Sequence, residues 1–197
     1  MFKFNRIRID TALSIIDNLC NIFEFDMENG PWLAGGSARK LFYNIPTNLS
    51  DFDIYFKDAN QYQKFADILS NDYHSSDLVE WGLTQYSKTY KLRYGYKQEY
   101  DVQLIKNKFY DSPHDLINDF DITVCQFATN GTDFIVGETT LHDCEYKLIN
   151  INKPIDTHGM LQRITKYIAY GFKPSNKLVN LILTEPLNYE PKDSDYA

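Results

Sequence analysis

Two short stretches of the sequence decide the fold. Residues 35–39 read Gly-Gly-Ser-Ala-Arg, and residues 50–56 read Ser-Asp-Phe-Asp-Ile-Tyr-Phe. The first stretch follows a short apolar run at 31–34, and the second alternates polar and apolar side chains as a strand does. The pattern therefore predicts a strand, a tight glycine turn, a short helix and a second strand.

The second stretch carries the first candidate site residues. Alternate residues of a strand point to the same side, so we expect Asp51 and Asp53 to present two carboxylates side by side. Two neighbouring negative charges are costly unless something neutralises them. Oxygen ligands suit a hard divalent cation such as Mg²⁺. The sequence therefore predicts that Asp51 and Asp53 hold Mg²⁺, or Mn²⁺ in its place, as catalytic metal ligands.

The glycine turn predicts a phosphate site. Gly35 and Gly36 leave the backbone free to approach a phosphate, the following helix start offers amide donors, and Ser37 adds a hydroxyl. A phosphate cradle beside metal-binding carboxylates is the equipment for phosphoryl or nucleotidyl transfer.

A third carboxylate would complete a two-metal site, in which the ions clamp the attacking and leaving oxygens. Asp101, in the predicted strand Tyr-Asp-Val-Gln-Leu-Ile at 100–105, is the best candidate, with the role of orienting or deprotonating the acceptor hydroxyl. The alternative is that Asp101 lies on the solvent face of an edge strand.

An amphipathic helix predicted at 157–169 carries further candidates. Arg163, Lys166 and Tyr170 can share one face at spacings of three and seven. One interpretation is contact with the triphosphate, with Tyr167 or Tyr170 stacking on the base. The other is a solvated basic face on an acidic protein.

The remaining patterns predict an α+β fold, a small mixed sheet flanked by helices and followed by a short helical region. We expect a catalytic domain at 1–150, and at 151–197 a C-terminal helical region with a loose tail. Helices are predicted at 11–25, 37–44, 60–69, 112–118, 139–148, 157–169 and 175–183. Strands are predicted at 31–34, 51–56, 78–81, 85–94 and 100–105, with a hairpin of 122–128 and 134–136 around Asn130-Gly131.

Composition narrows the class of protein. The 197 residues carry a formal charge of −7, which argues against extensive DNA binding. No apolar run is long enough for a membrane helix, and the three cysteines form neither a zinc signature nor a disulfide framework. We therefore expect a cytoplasmic protein with no membrane partner. The abundance of Asn, Lys, Ile, Tyr and Phe is typical of an AT-rich genome, bacterial or phage.

The two motifs together resemble the polymerase-beta-type nucleotidyltransferase superfamily. The distance from Gly36 to Asp51 is similar to that in the head domains of tRNA CCA-adding enzymes and bacterial poly(A) polymerases. A second stretch, Asp-Phe-Asp-Ile-Thr-Val-Cys-Gln-Phe-Ala at 119–128, resembles the Arg-Arg-Asp-Phe-Thr-Ile-Asn-Ala-Leu-Ala motif of those heads.

The resemblance implies further roles. Arg39 matches an arginine of the glycine motif and is expected near the triphosphate, and Asp121 matches the aspartate of the second motif and is expected to hydrogen-bond near the nucleotide. The paired arginines of that motif are absent here, and Asn118 and Asp119 stand nearby instead. The long RNA-binding body of CCA-adding enzymes has no counterpart in this sequence, so we expect a minimal member of the superfamily and do not carry tRNA over as its substrate.

The function expected from these residues is metal-dependent nucleotidyl transfer. An NTP, such as ATP, would donate its NMP to an acceptor hydroxyl and release pyrophosphate. RNA 3′ ends, a protein hydroxyl and a small molecule remain open as acceptors. The alternative is a catalytically silent module of the same fold that binds a nucleotide or a partner.

Overall fold

The computed structural model describes residues 5–8, 24–45, 51–71, 78–84, 86–94, 98–153 and 157–184. The strands within these ranges are β1 (Asn5–Arg8), β2 (Trp32–Ala34), β3 (Phe52–Tyr55), β4 (Leu78–Leu83), β5 (Ser87–Tyr94), β6 (Gln98–Ile105), β7 (Phe127–Thr129), β8 (Asp133–Val136), β9 (Leu148–Ile149) and β10 (Lys173–Pro174). The helices are α1 (Gly36–Phe42), α2 (Ala59–Asn71), α3 (Pro113–Asp119), α4 (Thr140–Glu145), α5 (Thr157–Ala169) and α6 (Asn176–Thr184), with a 3₁₀ turn at Thr123–Cys125.

Eight of these strands form one mixed sheet in the order β1-β8-β7-β2-β3-β6-β5-β4. The central pair β2 and β3 is antiparallel, and β3 runs parallel to β6. The predicted α+β class with a mixed sheet is confirmed. The short strands β9 and β10 form a separate parallel pair.

The alternation of β3 explains how the sheet positions the predicted site. Phe52 and Ile54 are fully buried in the core that packs against α1 and α2. Asp53 and Tyr55 therefore face the other side of the sheet, where they are only partly buried. Apolar residues on that strand thus anchor it from behind, while its polar residues face the candidate site.

A separate hydrophobic cluster joins the C-terminal helices to the 3₁₀ turn. Ile122 and Val124 from the turn region pack with Met160, Ile164 and Tyr167 of α5. Apolar residues at three- and four-residue spacing on α5 thus face the body of the protein, as the sequence pattern predicts. Helix α5 is therefore held against the 3₁₀ turn and the short strand β9.

Most predicted elements are confirmed within a few residues. The hairpin at Asn130-Gly131 forms between β7 and β8, with Gly131 at φ +101°. Helix α5 has the predicted bounds, and Gly171 follows it at φ +83°, a conformation that suits glycine.

Two predicted elements are wrong in extent. Residues 122–126 do not continue the strand, because Cys125 N–H bonds to the Ile122 carbonyl and closes a 3₁₀ turn. The apolar run 122–128 supplies three hydrophobic clusters, Ile122 and Val124 in one, Phe127 in a second and Ala128 in a third, so it lacks the alternation of one strand. The helix predicted at 139–148 ends at Glu145, since Lys147 adopts φ +51° and β9 begins directly after it.

Some predictions fall outside the described residues. These are the helix at 11–25 up to residue 23, and the loose tail from 185 onward. The division of the chain at residue 150 stays a prediction. Among the helices that the structure describes, none is both long and apolar enough to span a membrane.

Candidate nucleotide and metal site

The floor of the candidate site is the pair of carboxylates on β3. Asp51 is exposed just before the strand, and Asp53 lies on the same side two residues later. Burial, and then the negative charge of Asp51, raise the pKa of Asp53 to about 7, against an opposing effect of Lys166. Asp53 is therefore a carboxyl group whose charged form lacks sufficient compensation within the protein.

One side of the floor is formed by the glycine turn. Gly35 adopts φ +83°, a left-handed conformation that few other residues accept, and its N–H bonds to the Phe127 carbonyl at 2.9 Å. Gly36 begins α1 opposite α5, where an added Cβ would lie 3.7 Å from the Tyr167 hydroxyl. Ser37 is buried, and its hydroxyl lies 3.5 Å from the Ala34 carbonyl.

Arg39 reaches the site from the next turn of α1. Its side chain is 5% exposed, and its guanidinium carbon lies 5.3 Å from the Tyr167 ring centroid and 5.0 Å from that of Phe172. Its Nε atom is buried without a hydrogen-bond partner in the part of the chain that the structure describes. Arg39 is thus a rigidly packed cation in need of an anion.

Lys40 stands beside Arg39 at the mouth of the site. Its ammonium lies 5.6 Å from the centroid of the Tyr170 ring. Burial and the charges of Arg39 and Lys166 lower the pKa of Lys40, whereas the charge of Asp51 opposes the shift. The positive side chains are therefore close enough to repel one another.

Helix α5 forms the opposite wall. Arg163 makes an ion pair with Asp121 through Nε and Oδ2, so two predicted nucleotide-binding residues contact each other. The Tyr167 ring is 4% exposed, and its hydroxyl lies 2.9 Å from Cys125 Sγ. Tyr170, 47% exposed, is the more accessible ring for stacking on a base.

These groups enclose a cavity of about 330 Å³. All the predicted site residues except Asp101 line it: Gly35, Gly36, Ser37, Arg39, Asp51, Asp53, Asp121, Arg163, Lys166 and Tyr167. Four cationic side chains and three carboxylates therefore face one small space. The excess of one positive charge arises although the chain as a whole is acidic.

Asp101 does not line this cavity, although it precedes Val102 on β6 just as Asp51 precedes the paired Phe52. It is on β6, whose residues Val102 and Gln103 pair with Phe52 and Asp53. Its carboxylate makes an ion pair with Lys91 at 3.8 Å. Within the described ranges, no group of three or more His, Cys, Asp or Glu side chains is arranged to hold a metal ion. The role of Asp101 as third carboxylate stays a prediction.

Sequence reasoning missed four residues that line the cavity: Lys40, Tyr55, Phe120 and Cys125. Tyr55 continues the same side of β3 as Asp53, so its alternation carried a usable signal. Cys125 looked like a small core residue, and burial does raise the pKa of its thiol to about 11. Its position at the cavity depends on the 3₁₀ turn, which no periodicity in the sequence indicates.

Comparison with solved structures shows the fold. A Thermotoga maritima CCA-adding enzyme complexed with tRNA matches with a TM-score of 0.62 and 15% identity, over 92% of this chain and 45% of that chain. A CCA-adding enzyme with ATP matches at 0.63 and 15%, over 90% and 45%. A tRNA-processing enzyme in an apo form matches at 0.61 and 18%, over 89% and 48%. The expected resemblance to these head domains is confirmed, and the chain spans about half the length of these structures.

Comparison of the sequence itself gives a family. A search of curated proteins finds no match. The model of the family described as Gad2, Gabija anti-defense 2 family protein, matches residues 10–147, which is more than two thirds of the chain. The glycine turn, both β3 carboxylates and Asp121 all lie within the matched range. The chain belongs to the Gad2 family.

Proposed function

We propose that the protein is a metal-dependent nucleotidyltransferase. It moves the NMP of an NTP onto an acceptor hydroxyl and releases pyrophosphate. RNA 3′ ends, protein hydroxyls and small molecules are all acceptors that such a site can serve. The fold supports this proposal, because the CCA-adding enzymes that share it include structures with ATP and CTP.

The observation that carries the proposal is the state of Asp53. A carboxyl group with a pKa near 7, next to a second carboxylate and lining an open cavity, is costly to keep charged. Such arrangements occur at functional sites more often than elsewhere in proteins. A divalent cation bound by Asp51 and Asp53 would relieve the cost.

The residues present fit Mg²⁺. Two carboxylates on one side of a strand end offer the oxygen ligands that it prefers, and phosphates and water complete its shell in sites of this kind. When bound, Mg²⁺ supplies neutralisation of the phosphate charge and orientation of the reacting oxygens. Manganese accepts the same oxygen ligands.

The chain's own groups hold the nucleotide. The triphosphate is bound by the backbone at Gly35 and Gly36 and by the buried cation of Arg39. Lys40 and Lys166 add positive charge at the mouth of the cavity. An excess of cations suits a ligand that carries several negative charges. The exposed ring of Tyr170 offers a stacking surface for the base.

The remaining two groups have different roles, because Asp121 positions the wall of the site and Asp101 acts on the acceptor. Asp121 fixes Arg163 by their ion pair, which keeps the α5 wall in place next to the cavity. Asp101 would orient or deprotonate the acceptor hydroxyl. Transfer of this type depends on positioning and electrostatic stabilisation, with little covalent chemistry for the protein to perform.

The family gives the proposal a biological setting. Its description as Gabija anti-defense supports a role in counteracting a Gabija defence system, as a phage protein would. We propose that nucleotidyl transfer is how the chain exerts that effect.

The test is transfer of label from each α-³²P-labelled NTP in the presence of Mg²⁺ or Mn²⁺. Total RNA, lysate protein and the enzyme alone serve as acceptors. Asp53→Asn keeps the shape of the side chain and removes its charge, so we expect a loss of transfer of about 10³-fold or more. The free energy of unfolding of Asp53→Asn, measured without nucleotide, should not be lower than that of the wild type.

The matched control is Asp111→Asn, which makes the same change in an exposed loop. It should transfer at the wild-type rate. Wild-type turnover by Asp53→Asn would refute the site assignment. Nucleotide and metal binding with no transfer to any acceptor would instead favour the silent binding module.

A further inference from the structure

Charge is divided unevenly along the chain. Residues 1–146 carry 13 Lys or Arg against 22 Asp or Glu, residues 147–184 carry six against one, and residues 185–197 carry one against four. Such asymmetry within one chain points to an anionic partner for the basic segment. The six basic residues exceed what the cavity uses, since only Arg163 and Lys166 of them line it.

The basic segment also carries most of the exposed apolar surface. Nine large hydrophobic side chains are exposed within the described residues, and six of them lie between 146 and 183. These six are Tyr146, Leu161, Ile168, Tyr170, Val179 and Leu183. Cations and exposed apolar side chains therefore share one segment of the chain.

Four residues of this region form a contiguous group beside the cavity, here called the basic-aromatic patch: Tyr146, Lys147, Tyr170 and Lys173. The Lys173 N–H bonds to the Lys147 carbonyl at 2.8 Å, so the two lysines are neighbours. The Lys147 ammonium lies 3.7 Å from where a Cβ on Gly171 would be, directly after Tyr170. Since Tyr170 also lines the cavity, the patch begins at its mouth.

Lys147 occupies an unusual backbone conformation. Its φ of +51° lies in the left-handed region, which costs a residue with a Cβ about 1 kcal/mol or more and is usually given to Gly or Asn. Neither Lys147 nor Lys173 forms an ion pair with any carboxylate in the described parts of the chain. A cation is thus kept where glycine would serve the backbone better.

We propose that the basic-aromatic patch is a docking surface for an acidic protein, whose hydroxyl group it brings to the cavity. The assignment rests on the proposed function and selects the protein from its three acceptor classes. Tyrosines beside cations suit a protein interface with complementary charge. A nucleic acid would neutralise the lysines, but it would also extend over the acidic remainder of the surface, which would repel it.

The experiment measures binding to the full chain by fluorescence anisotropy, without nucleotide or metal. The probes are a labelled random copolymer of glutamate and tyrosine, labelled poly(U), and vesicles with 30% phosphatidylserine. We expect the copolymer to bind more tightly than the other two. Lys147→Glu/Lys173→Glu should weaken copolymer binding about tenfold or more, because like charges replace complementary ones.

Two further variants make the result interpretable. Lys57→Glu/Lys64→Glu changes the net charge equally beside α2, away from the patch, and should bind as the wild type does. Lys147→Gly removes one cation while relieving the backbone, so its stability should hold or rise as copolymer binding falls. A loss of binding in that variant is therefore not a loss of folding.

Other outcomes overturn the proposal. Tighter binding of poly(U) or vesicles than of the copolymer, lost in the double variant, would assign the patch to nucleic acid or lipid. If both double variants weaken copolymer binding equally, the binding depends on the net charge of the protein and not on the patch. Because the measurement needs no turnover, absence of nucleotidyl transfer would refute the proposed function and leave the docking result standing.

Discussion

Asp53 and Asp119 are two partly buried aspartates in opposite electrostatic surroundings. Asp119 accepts hydrogen bonds from the Tyr110 hydroxyl and the Lys108 ammonium, both at 2.8 Å, and from Lys153. Burial alone would raise its pKa, but these donors outweigh it and lower the pKa to about 2. Asp53 has Asp51 as a like-charged neighbour and a pKa near 7.

The difference distinguishes an aspartate that stabilises the fold, Asp119, from one that is available to a ligand, Asp53. Asp119 is satisfied by the chain itself, and its pairing fastens the loop carrying Lys153 to the end of α3. Asp53 is compensated only in part, by Lys166, so a cation bound between Asp53 and Asp51 would further stabilise its charged form. In the sequence, Asp53 is the second aspartate of one Asp-x-Asp pair and Asp119 is the first aspartate of another. Only their surroundings in the fold distinguish them.

The largest test of this contrast is the pH dependence of stability. The pKa of Asp53 is raised in the folded state, so its contribution to stability is full below the unfolded pKa of about 4 and is lost as pH rises through 7. A difference of about three pKa units corresponds to at most about 4 kcal/mol. Asp53→Asn should therefore become more stable than the wild type, by up to that amount, between pH 4.5 and 8.

Urea unfolding without divalent cations, at several pH values across that range, measures the effect. Because distant groups titrate alike in both proteins, the difference between the two curves isolates Asp53 together with the neighbours that its charge affects, Asp51 and Lys166. If the free energies of unfolding of the two proteins run parallel with pH, the pKa of Asp53 is not raised in the folded state. The main support for the metal site would then be lost.

Adding the divalent cation should remove part of the same strain. At pH 8, Mg²⁺ at ten times its dissociation constant should stabilise the wild type by about 1.4 kcal/mol, because it binds the folded state. Asp51→Asn and Asp53→Asn should lose the effect. Sodium chloride at matched ionic strength is the control, and equal stabilisation of all variants by both salts would indicate screening without a site.

How far the sequence predicts this molecule depends on how local the information is. The β3 alternation around Asp53 and the glycine turn at Gly35 are local, and both were predicted correctly. The burial of Arg39 between Tyr167 and Phe172 joins segments about 130 residues apart, so no window of sequence contains it. The packing that holds Arg39 in place, and the presence of Lys40 at the cavity, therefore became visible only in the fold.

The two acidic motifs, at 51–53 and 119–121, show the same limit of prediction from local sequence. The candidates at Asp51 and Asp53 rest on residue type and alternation, which a strand makes readable. At 119–121 the chain enters a bend before the 3₁₀ turn. There Asp119 pairs with Lys108 and Lys153, whereas Asp121 pairs with Arg163. Their apparent similarity to the β3 pair ends there, because spacing fixes a shared side only within a regular strand.

The smallest expected effect concerns Asp119. Its folded pKa is lowered, so its stabilising contribution is present above the unfolded pKa near 4 and is lost as pH falls through about 2. Allowing for solvent screening of its exposed lysine partners, Asp119→Asn should cost about 1 kcal/mol at pH 7 and little at pH 2. Nucleotidyl transfer should stay within a few-fold of wild type, unlike that of Asp53→Asn. Urea unfolding at both pH values, beside Asp111→Asn, gives the measurement. A loss of transfer as large as that of Asp53→Asn would show that the satisfied aspartate also acts in the site, and the contrast drawn from their surroundings would fail.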